Sequence, residues 1–179
     1  MQVMRRTLFV ASTALATVML AAGGGAGADI GDRVPEAADT AGAAVVRVPV
    51  AEADVAHHGH ASLWGGRIVV WLESDNHGPA QLADATVRLS FSAPVTVTGG
   101  GQLPPACLWG GDRVILCRTG ELRAGGTGGG IALDLLIPGN PPEIIVGITT
   151  VWSDGAVDRN HANDEHTVLV PATGDGYVF

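Results

Sequence analysis

The sequence of 179 residues contains no lysine, and its ten basic residues, all arginines, are outnumbered by eighteen aspartates and glutamates. Two of the arginines, Arg5 and Arg6, lie in an N-terminal segment that we expect to be removed. The remaining eight arginines and eighteen carboxylates give a net charge of −10. A surface of this sign repels phosphate backbones and anionic lipid headgroups. We therefore expect neither nucleic acid nor a membrane surface as a partner.

The sequence also lacks the short motifs of common catalytic chemistry. It contains no Gly-x-Ser-x-Gly elbow and no His-Glu-x-x-His pair. The glycine cluster at residues 125–130 lacks the lysine and the following helix of a phosphate-binding loop, so we interpret it as a flexible hairpin loop. These observations predict a protein that is not an enzyme and that needs no cofactor.

Residues 1–28 have the three parts of a cleaved secretory signal peptide. Arg5 and Arg6 supply the positive start, residues 7–22 form an apolar run, and Ala26-Gly27-Ala28 is a small-x-small cleavage pattern. A membrane anchor is the alternative, but an apolar run of about sixteen residues is short for a span of roughly twenty. We predict a secreted, extracellular protein whose mature chain begins at Asp29 and has no membrane segment.

Composition divides the rest of the chain into a leader, one folded domain and a tail. Residues 29–44 are acidic, rich in alanine and glycine, and without a spaced apolar pattern, which predicts a flexible leader. Residues 45–172 carry the apolar patterns of a folded domain, and their length suits a single domain. Residues 173–179 are interpreted as a C-terminal tail.

Short runs of β-branched and aromatic residues, separated by Gly, Pro, Asn or Asp, predict strands throughout the folded part. In residues 86–91 apolar and polar residues alternate, so Val87, Leu89 and Phe91 should face a core. The continuously apolar runs at 67–73 and 143–148 are expected for central strands covered more fully. No segment makes a convincing helix, so we predict an all-β, Ig-like antiparallel β-sandwich with Greek-key connections. The predicted strands are 45–50, 53–63, 67–73, 85–91, 95–98, 113–118, 131–137, 143–152 and 166–170.

The chain has two cysteines, Cys107 and Cys117. Outside the cytoplasm neighbouring thiols are not kept reduced, and Gly110-Gly111-Asp112 can reverse the chain between the two residues. A metal or redox pair would require a Cys-x-x-Cys spacing or nearby histidines, and neither is present. We therefore predict a disulfide bond.

Four segments of the folded part occur in a defined order. The first is an Asn-x-Gly-Pro turn at Asn76-His77-Gly78-Pro79. The second and third are a proline turn, Leu103-Pro104-Pro105, and a Gly-x-Leu-x-x-Gly turn at residues 120–125, placed on either side of the cysteine pair. The fourth is an Asp-rich turn at residues 158–164, before the last strand. In this order the segments resemble a bacterial secreted and cell-surface Ig-like repeat catalogued as domain of unknown function eleven.

The resemblance implies a module of secreted and wall-associated bacterial proteins, with spacer, adhesive or envelope roles and no known chemistry of its own. Such modules often occur in tandem, whereas this chain carries one, which favours binding or assembly with other copies over a stalk. The chain also departs from the family at Asp164, where a second asparagine is usual. We expect a structural or interaction role, with an extracellular or cell-envelope protein or polymer as the partner.

Extracellular metal binding is the alternative function, and the Asp-rich turn offers one candidate site. Hard oxygen ligands lie close together there, although without the spacing or the closing glutamate of an EF-hand. The competing interpretation is that these carboxylates and amides hold the loop together by hydrogen bonds. The candidate calcium ligands are Asp154, Asp158, Asn160, Asn163 and Asp164.

The histidine cluster offers the other candidate metal site. His57, His58 and His60 are dense enough in sequence to bind zinc or copper. On a strand His58 and His60 would share a face while His57 points away, so at most two of them contribute without help from elsewhere. The competing interpretation is a polar edge strand with solvated imidazoles.

The four tryptophans divide into two pairs by their sequence surroundings. Trp71 and Trp152 lie in apolar strands and are expected in the core. Trp64 and Trp109 border glycine turns, where an exposed ring could contact a partner or a carbohydrate. For this second pair, packing at the rim of the domain is the competing interpretation.

Overall fold

The computed structural model describes residues 49–179, and the structural statements below refer to that part of the chain. The predicted signal peptide and leader lie outside the described residues, as does most of the predicted strand at 45–50. Its last two residues, Pro49 and Val50, are described and do not form a strand. Among the described residues, no helix is long and apolar enough to cross a membrane.

The described residues form thirteen strands and one short 3-10 turn at Thr98–Gly100. Several strands end at or directly before glycine, proline, asparagine or aspartate, for example β2 before Gly65, β3 at Asn76 and β12 at Pro171. The strands are β1 (Glu52–Ala53), β2 (Val55–Trp64), β3 (Arg67–Asn76), β4 (Thr86–Phe91), β5 (Thr96–Val97), β6 (Cys107–Gly111), β7 (Val114–Arg118), β8 (Gly126–Thr127), β9 (Ile131–Leu136), β10 (Glu143–Trp152), β11 (Val157–Asp158), β12 (Glu165–Pro171) and β13 (Tyr177–Val178).

Two antiparallel sheets form the body of the fold. The five-stranded sheet has the order β12-β10-β4-β7-β6, and the six-stranded sheet has the order β13-β2-β3-β9-β5, with β8 paired to the end of β3. β1 and β11 form a short parallel pair. The chain crosses between the sheets repeatedly, as in a Greek-key sandwich. This architecture confirms the predicted all-β sandwich.

The core lies between the two sheets and follows the alternation of the sequence. Val87, Leu89 and Phe91 of β4 point into it, as predicted, and face residues such as Leu133 and Leu135 of β9. Burying one such side chain fully stabilises the fold by about 1.5–3 kcal/mol. A smaller apolar cluster lies near the β1–β11 pair and contains Ala53, Val55, Leu82, Ala85 and Leu122.

The prediction that the continuously apolar runs at 67–73 and 143–148 are covered more fully is wrong, because burial alternates along both strands. Trp71 is 36 % exposed on β3, and on β10 Ile145 is 46 % and Trp152 is 47 % exposed. The expected core positions of Trp71 and Trp152 are therefore also corrected. The physical reason is that the described residues form two layers and contain no α-helix that could pack on the outer face of either sheet.

The C-terminal residues, interpreted as a tail, instead complete the six-stranded sheet. Tyr177 and Val178 of β13 pair with Ala61 and His60 of β2, and Phe179 exchanges two backbone hydrogen bonds with Gly59. The segment is too short to show an alternating pattern, so the sequence does not reveal it. β13 pairs with β2 only at residues 59–61, so among the described residues the β2 backbone at His58 has no partner strand on that side. The competing interpretation of solvated imidazoles fits the exposed His58 and His60 but not the buried His57.

Candidate functional site

The predicted disulfide is present and joins two neighbouring strands. Cys107 of β6 and Cys117 of β7 are register partners, with Cα atoms 4.0 Å apart. The turn between the strands is Asp112-Arg113, at the end of the predicted segment Gly110-Gly111-Asp112, whose two glycines belong to β6. Cys117 is buried in the core, and Cys107 is partly buried against the same core. The bond therefore links the edge strand β6 covalently to β7.

The Asp-rich turn is held by hydrogen bonds to the start of β2. Asp158 accepts the backbone N–H of Val55 at 2.6 Å through Oδ2 and that of Asn160 at 2.8 Å through Oδ1. The side-chain amides of Asn160 and Asn163 both donate to Oδ1 of Asp54, at 3.2 and 2.9 Å. Asp54 is therefore the residue that joins the two asparagines of this loop. Because it lies about a hundred residues away in sequence, the sequence pattern does not show this contact.

The other two candidate calcium ligands serve separate contacts. Asp154 accepts the backbone N–H of Ala83 at 3.0 Å, on a different loop. Asp164 is only 2 % exposed, and its Oδ1 lies 3.3 Å from Nδ1 of His161. Burial raises the pKa of Asp164, and the contact with His161 opposes that shift. His161, Asp164 and Glu165 bring one ligand atom each within 4.8 Å of one another.

His57 points inward, as the strand period predicts, and its ring lies between the two sheets. Nδ1 lies 2.9 Å from Oγ of Ser74 and Nε2 lies 2.8 Å from Oγ1 of Thr150. Burial is the main cause that lowers the pKa of His57 from 6.5 to about 4. Because hydroxyl groups engage both ring nitrogens, His57 has no nitrogen free to bind a metal ion.

His58 and His60 lie on the outer face of the six-stranded sheet. The ring of His58 has Nε2 3.5 Å from Oε2 of Glu73 and Nδ1 3.6 Å from Oδ2 of Asp75. The ring of His60 stacks beside Trp71, with centroids 6.0 Å apart and planes at 23°. The sequence pattern alone does not single out Glu73 or Asp75 as part of this cluster.

The β2–β3 register contains a signal that could have identified Glu73. Gly65 and Gly66 form the two-residue turn of the hairpin, and counting back from it places His58 opposite Glu73. The alternation of side chains then places Asp75 on the same outer face.

Two further features complete this outer face. Arg67 and Asp134 form an ion pair, and the hydrogen bond from Arg67 is the main cause that lowers the pKa of Asp134 to about 2. Trp64, at the end of β2, is 68 % exposed, which agrees with the exposed-ring interpretation and not with packing in the core. Trp109, on β6 of the other sheet, is 43 % exposed.

Comparison with known proteins does not place the chain in a family. No protein-family model matches it, and no curated protein matches it with significance. The resemblance to the Ig-like repeat therefore stays a prediction that depends on the four ordered segments. Function has to be argued from the surface and the contacts of this chain alone.

Proposed function

We propose that the protein is a secreted, non-catalytic Ig-like module that binds a protein or a polymer of the bacterial cell envelope. The observation that supports this proposal most directly is the outer face of the six-stranded sheet. Aromatic and apolar side chains that take no part in the core lie there on paired strands. Trp and other large rings held in this way are the usual anchors of protein binding surfaces.

We call this surface the aromatic face and define it by Trp64, Trp71, His60 and Val178. Val178 pairs with His60, and His60 pairs with Trp71, so the three residues form one row across β13, β2 and β3. Val178 is 81 % exposed, and Trp64 lies on the same face, four residues along β2 from His60. Strand pairing fixes the backbone beneath these rings, which reduces the entropy lost on binding.

Neighbouring glycines leave room for the two indole rings. A Cβ at Gly130 would lie 3.4 Å from Nε1 of Trp71, and one at Gly174 would lie 3.6 Å from Cε3 of Trp64. Each indole ring therefore packs against the backbone of a glycine, and the ring of Trp71 also stacks beside His60. Ordered rings of this kind favour a specific contact.

The non-catalytic part of the proposal is supported by how the polar side chains are used. The Ser74–His57 contact could suggest a nucleophile and its base, but Ser74 is fully buried and His57 is 3 % exposed. Asp158 and Asp54 are occupied by the hydrogen bonds that hold the Asp-rich turn. These polar groups thus stabilise the fold.

The test is a binding experiment with the purified, oxidised protein immobilised on a resin. Solubilised wall polymer and extracted envelope proteins of the producing bacterium are applied separately, and bound material is eluted and identified. We expect one of the two fractions to yield a specific, saturable component. Retention of neither fraction above the level of an empty resin would contradict the proposal.

A further inference from the structure

The exposed imidazole of His58 lies between two carboxylates of the neighbouring strand. Glu73 lies on the Nε2 side at 3.5 Å, and Asp75 lies on the Nδ1 side at 3.6 Å. Both separations exceed the range of about 2.7–3.2 Å for a direct N–H···O hydrogen bond. The three side chains are therefore brought together without bonding one another directly.

The separation of Nε2 from Oε2 fits two ligands of one metal ion. Zinc binds imidazole nitrogen and carboxylate oxygen at about 2.0–2.2 Å, and two such ligands at the tetrahedral angle lie roughly 3.4 Å apart. The observed 3.5 Å between His58 and Glu73 is close to this value. One ion can therefore bridge the two atoms with little movement of either side chain.

Asp75 has the position of a group that orients a metal-bound histidine. Such a histidine usually donates its other ring N–H to a carboxylate or a carbonyl, which fixes the ring and its tautomer. Oδ2 of Asp75 lies on the Nδ1 side of His58 at 3.6 Å and has to approach by about 0.4 Å to accept that N–H, while Nε2 lies on the side of Glu73. The second oxygen of Asp75, Oδ1, is buried and has no hydrogen-bond partner among the described residues.

His60 supplies a third nitrogen on the same face. Residues two apart on a strand point the same way, with Cα atoms about 6.6 Å apart, so two imidazoles can reach a common ion. His60 stacks beside Trp71 at the exposed surface, and its ring has to turn from there to reach an ion held by His58. We propose that His58, Glu73 and His60 bind Zn²⁺ or Cu²⁺ on the aromatic face, with Asp75 orienting His58.

The donor set decides the class of ion. Two imidazoles and one carboxylate suit zinc and copper, whereas calcium requires six to eight oxygen ligands. The proposal differs from the expectation at the sequence level, because His57 is occupied in the core and Glu73 takes its place. It is also independent of envelope binding, which does not require a metal ion.

A simple ion-pair cluster of His58 with Glu73 and Asp75 is the competing account of the same geometry. It predicts no affinity for metal ions. A second competitor is the cluster of His161, Asp164 and Glu165, which lies in the Asp-rich turn. All six histidines of the chain lie within the described residues, so variants can assign any imidazole-dependent binding to one site.

The experiment is calorimetric titration of the purified, oxidised protein with ZnCl₂ and then with CuCl₂ at near-neutral pH. We expect a single ion to bind per chain, H58A to abolish binding, and E73Q and H60A each to weaken it by about tenfold or more. D75N should weaken binding by about tenfold to a hundredfold while leaving all three ligands in place. The matched control is H161A, which removes an exposed histidine from the other cluster and should leave affinity unchanged.

Tryptophan fluorescence gives a second readout that locates the ion. Cu²⁺ bound through His60 should quench the fluorescence of the Trp71 indole that stacks beside it. W71F should still bind the ion but should lose the part of the quenching that comes from Trp71. Absence of binding by the wild-type protein would overturn the proposal. So would loss of binding in H161A with retention in H58A and E73Q, because the ion would then lie at the Asp-rich turn.

Discussion

Nε2 of His57 lies 2.8 Å from Oγ1 of Thr150, and this contact joins the two sheets across the core. His57 belongs to β2 of the six-stranded sheet and Thr150 to β10 of the five-stranded sheet. The other ring nitrogen contacts Ser74 of β3, and the backbone N–H of His57 donates to the carbonyl of Asn163. The imidazole of His57 thus connects three strands, and the backbone of the same residue connects them to the Asp-rich turn.

The first prediction concerns pH. The pKa of His57 is about 4 in the folded protein and 6.5 without burial, so the unfolded chain takes up a proton first as the pH falls. Stability from this residue is therefore fully present above pH 6.5 and is lost between pH 6.5 and about 4. The loss should reach about 3 kcal/mol, measured by urea unfolding across that range. H57Q should flatten the dependence and H58Q, on the exposed face, should not; an unchanged slope in H57Q would refute this assignment.

The second prediction concerns the disulfide. Reducing the bond between Cys107 and Cys117 should lower the free energy of unfolding by about 3 kcal/mol, because the open chain regains the entropy of a small loop. The same loss should appear in the double variant C107S/C117S without reductant. Urea unfolding with and without reductant measures both. If the double variant responds to the reductant as the wild-type protein does, the effect does not come from this bond.

The third prediction separates turn chemistry from calcium binding at the Asp-rich turn. D158A removes the acceptor of the Val55 N–H, and because Val55 is fully buried, the lost partner should cost about 1–3 kcal/mol. D154A, whose hydrogen bond to Ala83 is exposed, is the matched control and should cost less. Excess calcium should leave the melting temperature of the wild-type protein unchanged. A calcium-dependent rise that disappears in D158A would show that the turn is a metal site.

The fourth prediction concerns the Asn-x-Gly-Pro turn. A Cβ at Gly78 would lie 2.6 Å from the Ala53 backbone, so G78A must displace the chain where the turn meets β1. We expect a loss of about 1–3 kcal/mol, measured by thermal or urea unfolding. Gly176 has nothing within 4 Å of its Cβ direction, and G176A is the control expected to have little effect. Equal effects of the two variants would mean that the close approach at Gly78 does not constrain the fold.

The local sequence pattern predicts the strands of this fold, but for a strand that is apolar on both faces it does not predict which face is exposed to solvent. The alternation of β4 identifies Val87 and Leu89 as core residues because the strand period alone decides their side. The same rule does not place Trp71, because β3 carries apolar residues on both of its faces. Only the packing of the two sheets shows that the outer face of β3 is exposed to solvent. Hydropathy does not distinguish a covered apolar strand from an uncovered one.

The prediction of the candidate sites was limited because several of the contacting residues are distant from one another in sequence. The division of His57 from His58 follows from the strand period and is predictable. The partners of these residues are not, because Thr150 and Asp75 reach them only through strand pairing and sheet packing. Glu73 is the exception, since the Gly65-Gly66 turn fixes its register with His58.

The central claim, that the aromatic face binds an envelope component, is tested most directly by one comparison of binding isotherms. The double variant W64A/W71A removes both indole rings of the face, and I145S/L169S removes exposed apolar side chains from the other sheet as a control. Both variants and the wild-type protein are titrated against the retained envelope fraction after their melting curves are shown to match. The account predicts that W64A/W71A loses affinity by about tenfold or more while I145S/L169S binds as the wild-type protein does. Full affinity in W64A/W71A would contradict it.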